Sequence, residues 1–142
     1  MNYLLDTCII SELIKKTPEK RVVGWIGGCD EECLFLSVLT LGEIQKGIVK
    51  LSDKQRRTRL QGWLDQDLKN RFEGRILPVN AETSRVWGMI QAQSELQGRK
   101  IPVVDALIAA TALANNLTVA TRNRADMEKS GVAVFNPWEL PA

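Results

Sequence analysis

The chain has 142 residues and no histidine. That absence excludes Ser-His-Asp and Cys-His catalysis, imidazole acid–base chemistry and zinc sites with histidine ligands. Aromatic residues amount to only 6%, too few for a sheet that stacks RNA bases on an aromatic face. Cysteines are few and odd in number, at three, so no disulfide framework is expected. Cys8, Cys29 and Cys33 read as small buried thiols in a reducing cytosol. Cys29 and Cys33 lack the second pair that a four-thiolate metal site requires. No uncharged apolar run approaches the ~20 residues of a membrane span. The opening Met1-Asn2-Tyr3-Leu4-Leu5-Asp6 lacks the basic-then-apolar order of a secretory signal. There is no GxxxxGK[ST] phosphate loop, no GxGxxG after the first apolar run and no GxSxG elbow. Neither charge dominates: 19 Lys and Arg against 17 Asp and Glu leave a net +2. A nucleic-acid partner must therefore be argued from local clusters.

What is present suits one α/β domain. Hydrophobic residues make up 44% and charged residues 25%, so residues 1–142 are expected to fold as a single domain with a sizeable core. Short, continuously apolar runs read as buried strands at Asn2–Leu5, Leu34–Ser37, Arg75–Val79, Leu117–Ala120 and Val132–Phe135. Helical patterns separate them. One starts at Thr7 and carries Ile9, Ile10 and Leu13. A second opens at Pro18, carries Val22, Val23, Trp25 and Ile26, and ends at Gly27-Gly28. Thr40 begins a helix with Leu41, Ile44, Ile48 and Leu51 on one side. Asp53 begins a polar helix with the stripe Leu60, Leu64, Leu68 and the basic face Lys54, Arg56, Arg57, Arg59. Glu82–Leu96 should use Val86, Ile90 and Leu96 as core contacts and close at Gly98. The segment from Pro102 to Ala114 is apolar nearly all round, which predicts burial on every side. Helices alternating with buried strands predict a three-layer α/β/α fold around a five-stranded parallel sheet. Ligands in such folds bind beyond the strands' carboxyl ends.

Most of the carboxylates sit among polar neighbours, but Asp6, Glu43 and Asp105 are pressed between apolar residues. Each has a purely structural reading. Asp6 can cap the helix starting at Thr7. Thr40-x-x-Glu43 matches a capping box. Asp105 falls in the first turn of its helix, where the dipole favours an anion by about 0.3–1 kcal/mol. Together, all of them lie at one end of the expected sheet. Two carboxylates ~4 Å apart repel by about 4 kcal/mol at an effective dielectric of ~20, so such a group must be protonated or hold a cation. Oxygen ligands without imidazole or thiolate select hard ions, Mg²⁺ or Mn²⁺. Such an ion polarises phosphoryl oxygens and acidifies water, which removes the need for a histidine base and points to phosphodiester hydrolysis. Thr121, Asn123 and Asp126 should emerge at the same end, with Arg122 and Arg124 placed to meet phosphates. The alternatives are a polar loop with Asp126 capping a short helix, and a solvated face for the basic helix.

The ordered pieces Leu4-Leu5-Asp6-Thr7, Ser37-Val38-Leu39-Thr40-Leu41-Gly42-Glu43 with Gly47, Asp105-Ala106-Leu107-Ile108-Ala109-Ala110-Thr111-Ala112, Leu117-Thr118-Val119-Ala120-Thr121-Arg122-Asn123 and Val134-Phe135-Asn136-Pro137-Trp138 span nearly the whole chain. In this set the chain resembles PIN-domain proteins, specifically VapC/FitB-type toxins of bacterial toxin–antitoxin pairs. The resemblance implies a PIN fold and a metal-dependent endoribonuclease, a cytoplasmic protein inhibited by a cognate antitoxin. It makes Asp6, Glu43 and Asp105 the metal-site residues, with Mg²⁺ as cofactor and Mn²⁺ as substitute. A fourth acid often follows the fourth strand in that family. Here Asn123 directly follows Thr121-Arg122, and the nearest acid is Asp126, so either could take that role. Homodimers, larger toxin–antitoxin assemblies and antitoxin binding across the acidic groove are also implied. A rival reading is a catalytically inactive protein whose acidic pocket receives a basic peptide. A phospho-receiver is disfavoured because Asp6 has no acidic neighbour.

Overall fold

A computed structural model describes residues 1–142. The elements in chain order are β1 (Tyr3–Leu5), α1 (Thr7–Leu13), α2 (Lys20–Gly28), a 3₁₀ turn (Glu31–Cys33), β2 (Leu34–Ser37) and α3 (Val38–Val49). Next, α4 (Lys54–Gly62) runs through a π-helical segment (Trp63–Leu68) into α5 (Lys69–Arg71), then β3 (Ile76–Leu77) and α6 (Ala81–Leu96). The chain ends with α7 (Val103–Ala114), β4 (Thr118–Ala120), α8 (Arg124–Glu128), β5 (Val134–Phe135) and a 3₁₀ turn (Pro137–Glu139).

The five strands form one sheet in the order β3-β2-β1-β4-β5, and every pairing is parallel. Successive strands first move outward from β1 on one side, then the chain returns to build the other side. The reversal falls between β1 and β4, the kind of switch point where α/β sheets open a crevice at their carboxyl ends. Alternation along β1 sends Leu4 and Leu5 to opposite faces. Leu5 joins Ile9, Ile10, Val22, Leu36, Leu64 and Phe72 beneath α1–α5. Leu4 joins Ile90, Ala106, Ile108, Ala109 and Met127 beneath α6–α8. This is the expected three-layer, five-stranded α/β architecture.

Several boundaries differ from the expectation for physical reasons. β3 keeps only Ile76 and Leu77, because Pro78 has no N–H to continue the ladder. The first, fourth and fifth strands are also shorter than expected, since Asn2, Leu117 and Val132 lie outside the paired residues. The second helix begins at Lys20 rather than Pro18. Leu96 is 88% exposed, so α6 outruns the core it was expected to reach, and Gly98 closes it at φ +67. In α7 the residues from Ala106 to Ala112 are buried apart from half-buried Leu107, but Val103, Val104 and Leu113 face solvent, so burial on every side holds only for its middle. The helix expected at Thr40 starts at Val38, with Ser37 as the cap, its side-chain oxygen accepting from the Leu39 N–H at 3.0 Å. There is therefore no capping box at Thr40: that residue is fully buried and already helical.

Candidate active site

Asp6 follows the last residue of β1. Its backbone N–H still bonds to Ala120 of β4 at 3.0 Å, so the sheet itself fixes where it stands. It caps α1, as one of its readings required, with Oδ1 accepting from the Thr7 N–H at 2.8 Å. Capping uses one oxygen only. The other, Oδ2, accepts from the Thr121 hydroxyl at 2.7 Å. Thr121 stands at the end of β4 and is fully buried, while Asp6 is 7% exposed. The two residues on either side of the sheet's switch point are thus tied together.

Glu43 is freed from capping because Ser37 does that work. One turn into α3, its Oε1 accepts from the Thr7 hydroxyl at 2.6 Å. The Thr7 and Thr40 hydroxyl oxygens are 3.0 Å apart. The Thr7 hydroxyl thus faces two acceptors, Glu43 at the shorter distance and Thr40 at the longer. The chain Thr40–Thr7–Glu43 carries α1 and α3 into register at the strand ends. The positions of Thr7 and Thr40 in this relay were not anticipated; the visible signal is a hydroxyl residue placed directly after a strand-end acid.

Asp105, in the first turn of α7, accepts from the Asn123 side-chain amide at 3.2 Å. Burial, reinforced by the negative charges of Asp6, Asp126 and Glu43, raises its pKa from 3.8 to about 6, against the opposing hydrogen bond from Asn123. Those three acids come from the cap of α1, from α8 and from α3, yet all act on one carboxyl group. Hydrogen bonds link each acid singled out in the sequence to a loop or helix at this end of the sheet: Asp6 to Thr121, Glu43 to Thr7 and Asp105 to Asn123. Asp126 is half-buried at the start of α8, with Lys129 Nζ 3.3 Å from it. It does not cap α8, whose cap position is Asn123. Of the two candidates for the fourth role, Asn123 touches Asp105, and Asp126 is one of the charges that raise its pKa.

The donors suit a hard divalent ion. All are oxygens, and the nearby Cys8 thiol stays protonated, because burial and the adjacent Asp6 charge push its pKa up. No three acidic side chains yet converge on a common point at ligating distance. Asp6, Glu43 and Asp105 are instead held by Thr121, Thr7 and Asn123.

The arginines divide. Arg124 is bound to Glu128 and Glu139, the latter at 3.0 Å, and is not available to a phosphate as expected. Arg122 has no carboxylate partner and lies over the Trp138 ring, 5.4 Å from its centroid. On the basic helix, Arg57 is turned inward to the Leu51 carbonyl at 3.0 Å, whereas Lys54 and Arg59 are exposed. A groove of about 300 Å³ runs from Thr7 and Glu43 past Ser11, Ile14 and Gly47 to Arg56.

Comparison with known proteins agrees with the fold. The family model described as "PIN domain" matches residues 3–129. The chain is 38% identical over 136 residues to "VapC ribonuclease Y4jK" of Sinorhizobium fredii, covering 96% of this chain and 97% of that protein. It is 37% identical over 135 residues to "Toxin FitB" of Neisseria gonorrhoeae, covering 95% and 97% of the two chains. Its fold superposes on a crystal structure of FitAcB from Neisseria gonorrhoeae with a TM-score of 0.92, at 37% identity over 97% of this chain and 99% of that one. No helix is long and apolar enough to cross a membrane. With a family model spanning most of its length and relatives this similar from end to end, the chain belongs to the PIN-domain family, among its VapC- and FitB-type members.

Proposed function

We propose that this protein is a metal-dependent endoribonuclease, the toxin of a type II toxin–antitoxin pair, built as one nuclease domain over residues 1–142. The observation that carries the proposal is the set of hydrogen bonds that tie Glu43 to Thr7, Asp6 to Thr121 and Asp105 to Asn123 around the sheet's switch point. The two relatives, one named a ribonuclease and the other a toxin, support the same reading. Asp6, Glu43 and Asp105 are the residues that would hold Mg²⁺, with Mn²⁺ as a substitute. Held there, such an ion would supply neutralisation of phosphoryl charge and a more acidic water, without need of histidine. The protein's own groups do the rest. Thr121 and Thr7 aim Asp6 and Glu43 through hydrogen bonds of 2.7 and 2.6 Å. Asn123 steadies Asp105 and, with Asp126, borders the leaving side.

The partners follow from the surfaces. The groove from Glu43 to Arg56 combines an acid at one end with apolar walls from Ile14, Ile44 and Leu60. It suits an antitoxin segment that brings a cation to Glu43. Solved complexes of relatives, FitAB bound to a DNA fragment among them, pair such a chain with a second protein. Leu96, Val103 and Val104, exposed by 88%, 54% and 37% on either side of the α6–α7 turn, favour a homodimer. The three unpaired thiols suit a cytoplasmic protein. RNA cleavage by the wild type and by Asp105→Asn, each with and without Mg²⁺, tests the proposal. Metal-dependent cleavage lost in the variant is expected. Equal cleavage by both, or no cleavage alongside tight binding of a basic peptide and no Mn²⁺ uptake, would overturn it.

A further inference from the structure

A second cavity, of about 680 Å³, opens between the last turn of α1, the start of α2 and the C-terminal 3₁₀ turn. Its walls carry the cations Lys15, Lys20, Arg21 and Arg122 and the acids Glu12 and Glu19. Both acids are already committed. Glu12, only 5% exposed, accepts from Lys15 Nζ at 2.9 Å and from the Glu19 N–H at 3.0 Å. Glu19 pairs with Arg21. Lys20 and Arg122 are left with no carboxylate partner.

Arg122 is also held in place. Its guanidinium lies over Trp138, a ring 9% exposed, so an aromatic face anchors the cation while its N–H donors stay free. Its backbone N–H donates to Cys8 Sγ at 3.4 Å. In sequence it directly follows Thr121, whose hydroxyl holds Asp6. Consecutive Cα atoms are ~3.8 Å apart, so the cavity begins one residue from the acidic centre.

We propose that this cavity receives a backbone phosphate of the RNA strand next to the phosphate being cleaved, with Arg122 and Lys20 as its ligands. This deepens the nuclease reading and rests on it. A guanidinium presents a planar fork that matches phosphate oxygens, and Lys20 adds a mobile point charge. Lys15 and Arg21, each balanced by an acid, border the site. The grip is the same before and during bond cleavage, so it sets how tightly substrate is held rather than how fast it reacts.

The test compares wild type, Lys20→Met/Arg122→Met, Arg122→Lys and, as a control of equal charge loss, Lys54→Met/Arg59→Met. The probe is a fluorescein-labelled, mixed-sequence single-stranded RNA, with binding measured by anisotropy in EDTA over a salt series. Each lost single-strand phosphate contact should flatten the slope of log K against log salt by about 0.7. The cavity double variant should therefore lose about 1.4 in slope, and the α4 control nothing. In cleavage assays with Mg²⁺ the cavity variant should raise KM about tenfold and leave kcat within about threefold. Arg122→Lys should fall between the two in affinity, and matching thermal midpoints exclude misfolding. An unchanged slope in the cavity variant, or an equal loss in the control, overturns the proposal while the nuclease reading stands. Loss of poly-glutamate binding with RNA binding intact would assign the cavity to an acidic peptide and also overturn it. A wild type that neither binds nor cleaves RNA removes both readings.

Discussion

Replacing Asp105 by Asn should make the metal-free protein more stable while abolishing its activity. The carboxyl group is partly buried beside three other acids, and its pKa rises from 3.8 to about 6. Taken at face value, that shift is worth about 3 kcal/mol at 1.36 kcal/mol per pH unit. Asp105 is only half-buried, and solvent screening reduces the gain on neutralising it to about 1 kcal/mol. For a chain of this size that is a rise in Tm of about 3 °C. The pH dependence has a definite sign. The native state holds the Asp105 proton more tightly than the unfolded chain, so wild-type stability falls as pH rises from 3.8 to about 6. The gap in favour of Asn is therefore absent below that window and complete above it. Metal should reverse the order at neutral pH. An ion at ten times its Kd stabilises the wild type by about 1.4 kcal/mol, and the Asn variant should lose most of that increment. Melting curves in EDTA and in Mg²⁺, from acid to neutral pH, measure both effects. An Asn variant that melts lower in EDTA at neutral pH, or keeps the full Mg²⁺ increment, refutes the reasoning.

Other variants separate positioning from packing. Glu43→Gln keeps an acceptor for the Thr7 hydroxyl and should leave the melt nearly unchanged, while Mg²⁺-dependent cleavage falls roughly a hundredfold, a loss of about 3 kcal/mol in transition-state stabilisation. Thr121→Val removes the buried donor to Asp6 and should cost about 1–3 kcal/mol in urea unfolding, together with much of the activity. Asp126→Asn removes one of the charges that raise the Asp105 pKa, and a carboxyl ¹³C NMR titration in EDTA should show Asp105 titrating at lower pH. Lys15 and the Glu19 N–H hold Glu12 below the usual carboxylate range. Its stabilisation is therefore present above the unfolded-chain pKa of about 4.5 and lost as pH falls, and Glu12→Gln should melt with a weaker acid dependence.

The fold was legible because its strands are short and continuously apolar and its helices carry clear stop signals. Leu34–Ser37 matched to the residue, and Gly98 ended α6 as its positive φ requires. Asp6 stood out because an anion between Leu5 and Ile9 has no solvent-facing explanation in a buried segment, whereas the apolar neighbours that drew attention to Asp105, Val103 and Val104, face solvent. What stayed hidden depends on distance along the chain. Thr7 meets Glu43 across 36 residues and Thr121 meets Asp6 across 115, and no local pattern encodes either pair. Local pattern also misled. The Thr40-x-x-Glu43 spacing imitates a capping box, but Ser37 sits at the strand end and captures the helix start three residues earlier. Arg124 looked free beside Arg122 until folding brought Glu139 to it. Leu96 has the periodicity of a core residue but lies past the end of the sheet layer, where nothing covers it.

The most direct measurement is anomalous scattering from a crystal soaked in Mn²⁺. A peak bounded by the carboxylates of Asp6, Glu43 and Asp105 is predicted, with Asn123 or Asp126 at its edge. Crystals that take up Mn²⁺ only elsewhere, or leave this space without a peak at millimolar concentration, would contradict the assignment of a cation to these acids.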